Sequence, residues 1–129
     1  MSKKKTSIVF TGDIGFDRYM EGRWQDEHLL SKEILNFFRS ADHTVAEVEG
    51  ALIKAEDDGS RGVFFHSMDP QAVSVLNKIH ADIWSVGNNH IMDAGRDGVI
   101  STRSLAAENG CRTIGAGPHA TWLVQALAH

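Results

Sequence analysis

The chain has 129 residues, 42% hydrophobic and 23% charged, which suits one globular domain with a single core. A net charge of −4, with the only basic cluster at Lys3-Lys4-Lys5, argues against a nucleic-acid interface. The single cysteine, Cys111, allows no intrachain disulfide and fits a reducing compartment, and no apolar run approaches the roughly 20 residues that cross a bilayer.

Residues 6–11 read as a buried first strand, with Ile8, Val9 and Phe10 in a row, closed by Gly12-Asp13. That apolar run is too short, and too soon interrupted, to serve as a signal peptide, so the expectation is a cytoplasmic protein with no membrane segment. Residues 28–39 predict an amphipathic helix whose apolar side is Leu29, Leu30, Ile34, Leu35, Phe37 and Phe38. A second strand covers 43–48, followed by a charged, glycine-bearing loop at 56–62 and a short strand at Val63-Phe64-Phe65. Asp69 and Pro70 supply a cap and first position for a helix carrying Val73, Leu76 and Ile79. A third main strand covers 83–86, a helix 98–109 and a fourth strand 111–114, ending in Gly115-Ala116-Gly117; residues 119–129 predict a last short helix. Strands alternating with helices predict an α/β fold with a mostly parallel sheet. Trp24 and Trp84 read as packing residues and Cys111 as an inert core thiol.

Three of these strands end in small polar residues: Gly12-Asp13, Glu47-Val48-Glu49-Gly50 and Asn88-Asn89-His90 with Asp93 beyond. Parallel strands bring their carboxyl ends to one edge, where ligands of open α/β sheets sit. Carboxylates, an amide oxygen and an imidazole together suit a divalent ion, Mn²⁺, Mg²⁺, Fe²⁺ or Zn²⁺. Two such ions a few ångströms apart activate water for phosphoester hydrolysis, and a free imidazole can protonate the leaving oxygen. Each residue also has an ordinary structural reading, as a turn former, a cap or a satisfied histidine; their shared position at strand ends joins them. No Gly-x-Gly-x-x-Gly follows the first strand, which argues against a dinucleotide-binding domain.

The order Gly12-Asp13, Val48-Glu49-Gly50, Asn88-Asn89-His90-x-x-Asp93-x-Gly95, then Thr102, Leu105 and Gly115-Ala116-Gly117, resembles the CapA family of poly-γ-glutamate and capsule synthesis proteins. That family belongs to the calcineurin-like metallophosphoesterases. The resemblance runs from about Ser7 to Ala120, and Arg18 matches an arginine that follows the Gly-Asp motif. It implies Asp13, Glu49 and Asn89 as metal ligands, with Glu49 the bridging candidate. It implies His90 as proton donor or phosphate contact, with Asp93 orienting it. Arg18, Asn88 and His66 are the candidates for contact with substrate, although Asn88 also reads as shaping its loop. The implied substrate is a phosphoester or an intermediate of an anionic polymer.

Two features depart from the family pattern. Glu47 stands where the family has asparagine, and strand alternation puts Glu47 and Glu49 on one face. The family also continues beyond the Gly-Ala-Gly turn with further histidines, and neither His119 nor His129 has their context. Residues 1–129 therefore read as a single, truncated domain, the N-terminal half of a metallophosphoesterase α/β/β/α sandwich. Such a half exposes a sheet face that a second copy or a partner chain would cover. The alternative to a hydrolase is a non-catalytic polymer-assembly or binding subunit, or an inactive fragment needing a partner chain.

Overall fold

The computed structural model of the chain describes residues 3–54 and 65–117. The expected loop at 56–62, the 63–64 part of the expected short strand and the expected helix at 119–129 lie outside the described residues. In chain order the elements are β1 (Ile8–Ile14), α1 (Lys32–Ser40), β2 (His43–Val48), β3 (Ala51–Leu52), β4 (Ser67–Met68), α2 (Val73–Lys78), β5 (Ile83–Ser85), α3 (Gly95–Glu108) and β6 (Arg112–Ile114). β1, β2, β5 and β6 form one sheet in that order, parallel throughout, and β3 pairs with β4 in a second, two-stranded parallel sheet. The α/β architecture with flanking helices is therefore as expected, and β2 matches its expected bounds.

Every crossover steps the same way across the four-stranded sheet, so right-handed connections carry all three helices to one face. Burial follows that rule. Thr44, Ala46, Val48 and Trp84 are buried beneath the helices, in a core shared with Leu52, Leu76, Val86 and Val99. The opposite face carries Phe10, Val45 and Ile83 in one row, and Glu47, Ser85 and Ile114 in another. β1 departs from the buried strand that its apolar run suggests. It is an edge strand, and Ile8 and Phe10, on the open face, are 51% and 72% exposed.

The helix expected over 28–39 begins four residues later, because local side chains hold the preceding segment in turns. Asp26 accepts the His28 amide at 2.9 Å, and Ser31 caps α1 by accepting from the Ile34 amide at 3.2 Å. Nine residues present one narrow stripe to the sheet: Leu35 and Phe38 pack on the core, while Ile34 and Phe37 remain exposed. Leu29 and Leu30 reach the core from the loop. Asp69 caps as expected, accepting from the Gln71 amide at 2.8 Å, but Pro70–Ala72 form a 3₁₀ turn before α2 begins. α3 starts three residues before its expected position and clasps β3. Thr102 accepts from the Leu52 amide at 2.9 Å and Ser101 donates to the Leu52 carbonyl at 2.7 Å. Cys111 precedes β6, half-buried, and its thiol donates to the Ala81 carbonyl. Among the described residues, no helix is long and apolar enough to cross a membrane.

Candidate metal centre

The carboxyl ends of β1, β2 and β5 each release a loop at the same edge. After β1, Phe16 is buried edge-to-face against Trp24, with ring centroids 6.3 Å apart, and this anchor fixes the position of Asp17 beside it. After β2, the Glu49 amide donates to the Ile14 carbonyl at 3.0 Å, continuing the pairing with β1 past the strand end. Gly50 follows with φ +86°, and a Cβ there would lie 2.7 Å from the His66 carbonyl oxygen. Only glycine both adopts that backbone and lets the segment ahead of β4 come so close.

Asn88 stitches the second and third loops together. Its amide nitrogen donates to the Val48 carbonyl at 2.6 Å and to Glu47 at 3.1 Å. Its amide oxygen accepts from the His90 amide at 3.1 Å and the Gly50 amide at 3.5 Å. All its hydrogen-bonding capacity is thus taken up in joining loops, in keeping with the loop-shaping reading.

The segment ahead of β4 brings His66 to this edge. One ligand atom from each of Glu49, His66 and His90 lies within 4.8 Å of the others. His90 Nε2 stands 3.9 Å from Glu49 Oε1, and the two imidazoles meet edge-to-face with centroids 4.1 Å apart. Each ring is backed by an aspartate. His66 Nδ1 lies 2.5 Å from Asp17 Oδ2, and His90 Nδ1 lies 2.7 Å from Asp93 Oδ2. The same Asp93 oxygen accepts the His66 backbone amide at 2.9 Å, tying two loops to one carboxylate. An ionised carboxylate only accepts, so where an aspartate takes the Nδ1–H of its imidazole, Nε2 is the ring nitrogen that can ligate. Two imidazole nitrogens and one carboxylate, each imidazole oriented through its other nitrogen by an acid, make a donor set that fits a divalent ion.

The residues picked out in the sequence distribute unevenly around this cluster. Glu49 and His90 are in it, with Asp93 behind His90. Asn89 is adjacent, its amide nitrogen 3.1 Å from His90 Nε2. His66, expected to contact substrate, supplies one of the three donors. Asp13 lies outside the cluster: a bulge between Phe10 and Asp13 shifts the register of β1 and pairs Asp13 with Glu47 on the open face. Arg18 is exposed, in a 3₁₀ turn with φ +51° directly after Asp17. Asp17 was not singled out in the sequence; the one signal for it is an acid four residues past the Gly-Asp strand end. The cluster's side chains are between 14% and 28% exposed, sheltered but open to solvent. A separate small cleft between the 26–30 loop, α1 and α2 contains none of these residues.

A family model described as bacterial capsule synthesis protein PGA_cap matches residues 7–122. Comparison with curated proteins finds no match.

Proposed function

The chain belongs to the bacterial capsule synthesis protein family, and from that premise we propose that it acts as a metal-dependent, phosphoesterase-like hydrolase. The observation that carries this reading is the convergence of Glu49, His66 and His90 at the carboxyl edge, each imidazole backed by an aspartate. These three residues would hold one divalent ion. His90, expected from the sequence as proton donor or phosphate contact, would offer its Nε2 to the ion in this reading. Asn89, whose amide would have to turn its oxygen inward, is the further candidate ligand, while Asp13, outside the cluster, is the candidate for a second ion. A bound ion would supply Lewis-acid activation of water and of a phosphoryl oxygen.

The chain's own residues do the remaining work. Asp17 and Asp93 hold the Nδ1 protons and fix both ring planes. Asn88 holds the β2 and β5 loops in register. Arg18, exposed beside Asp17, supplies positive charge for an anionic substrate. The substrate class is a phosphoester or an intermediate of an anionic cell-surface polymer.

The test is hydrolysis of para-nitrophenyl phosphate and its diester by protein loaded with Mn²⁺ or Zn²⁺. Glu49→Gln and His90→Ala should abolish turnover while leaving the circular dichroism spectrum unchanged. Turnover that survives both substitutions contradicts the reading. The exposed Ile8 and Phe10 on the sheet face away from the helices favour a second reading, a non-catalytic assembly subunit. Under it the wild type hydrolyses neither ester and the same substitutions leave capsule assembly intact.

A further inference from the structure

We infer that Asp17 is a positioning residue that makes His66 a metal ligand, and that the resulting two-imidazole, one-carboxylate set takes Zn²⁺ or Co²⁺ in preference to Mg²⁺. This rests on the reading above that the cluster holds a divalent ion, and deepens it by naming the class of ion and the residue that selects it.

His66 sits just ahead of β4, a strand of two residues, so its local secondary structure gives the ring little orientation. Three contacts orient it instead. Its backbone amide donates to Asp93 at 2.9 Å, its Nδ1 faces Asp17 Oδ2 at 2.5 Å, and its ring meets the His90 ring edge-to-face. Only the Asp17 contact fixes which nitrogen bears the proton. With the proton on Nδ1, Nε2 is left as the ligand atom of a ring whose residue sits in one cluster with Glu49 and His90. The side chains of His66 and Asp17 are 20% and 22% exposed, so neither ring nor carboxylate is freely solvated.

A loop-fastening ion pair would explain the Asp17 contact by itself. It would not explain why His90, on a different loop, repeats the arrangement with Asp93, or why a donor atom of each ring converges on one carboxylate. Two aspartate-backed imidazoles facing a glutamate have the form of a metal site with its outer hydrogen bonds in place. The donor types then select the ion. Mg²⁺ favours six oxygen ligands in near-octahedral array and keeps its waters, whereas imidazole suits Zn²⁺ and Co²⁺.

The experiment is a Co²⁺ titration of metal-free protein, followed by visible absorption, with Mg²⁺ as competitor. It is run on the wild type, Asp17→Asn and Asp17→Glu. Long-range ¹H–¹⁵N spectra of the histidine rings in metal-free protein are recorded alongside. The expected result is a Co²⁺ band in the wild type that excess Mg²⁺ does not remove. Asp17→Asn should weaken Co²⁺ binding by about 10–100-fold, with Asp17→Glu restoring part of it. The His66 ring of the wild type should carry its proton on Nδ1. Equal Co²⁺ affinity in Asp17→Asn, displacement by Mg²⁺, or a wild-type His66 protonated on Nε2 would each overturn the inference. The tautomer is read on the wild type and needs no variant to fold. A wild type that binds no Co²⁺ at all removes the metal reading itself, an outcome distinct from the other three.

Discussion

Asn88 and Asp93 show how single side chains assemble this site. Both lie in the loop between β5 and α3, and each joins segments that arise far apart in the chain. Asn88→Asp keeps the size but replaces two donated hydrogen bonds with a carboxylate facing the Val48 carbonyl and Glu47. It should lower the unfolding free energy by about 1–3 kcal/mol, measured by urea titration. A residue serving only to contact substrate would change turnover and leave stability untouched. At the other end of the strands, Asp82 bonds His43 Nδ1 at 2.7 Å and the Thr44 amide at 2.8 Å. Burial pushes its carboxyl up, but the hydrogen bonds from His43 and the Thr44 amide outweigh that and hold it below the ordinary value of 3.8. A depressed folded pKa contributes stability above the ordinary value and loses it as pH falls through the folded one. Asp82→Asn should therefore lower stability more at about pH 6 than at about pH 2, read from denaturant unfolding at the two pH values. An equal loss at both would contradict the assignment. The Asn-Asn-His-x-x-Asp run was legible because its parts lie within six residues. Asp17 and His66 were not legible as a pair, because 49 positions separate them and only the fold joins them.

At the scale of elements, residue pattern located the four strands of the main sheet and the three helices, but not the short β3 and β4 nor the surroundings of each strand. The run Ile8-Val9-Phe10 has the composition of a strand buried on both faces, yet β1 lies at the sheet edge. Composition reports that a strand can be buried, and topology decides whether it is. Phe10→Thr should therefore change stability by no more than about 0.5 kcal/mol, as an exposed position does. Trp84→Ala, in the fully buried centre of β5, should cost about 3–5 kcal/mol. A large loss for Phe10→Thr in thermal or urea unfolding would mean that its face is covered. The late start of α1 follows from its Ser31 cap, while α3 runs on from backbone turns at Asp93 and Gly95 without a side-chain cap. Side-chain caps and turns set helix ends, and hydrophobic periodicity marks only their middles.

Across the described residues, a single direction of crossover gives a sheet with one face under helices and the other half-exposed, and gathers the strand ends at one edge. The parallel α/β class was legible from the alternation of elements, since parallel strands need crossovers. Which face is open was not, because a period of two separates the faces without saying what lies on either. The central claim is that Glu49, His66 and His90 hold a divalent ion at that edge. The most direct measurement is the metal content of the purified chain after loading with excess Zn²⁺ and desalting, beside that of His66→Ala. At least one retained ion per chain is expected in the wild type, held by the cluster found among the described residues, with loss of that ion in the variant. No retained ion in the wild type, or retention undiminished by His66→Ala, would contradict it.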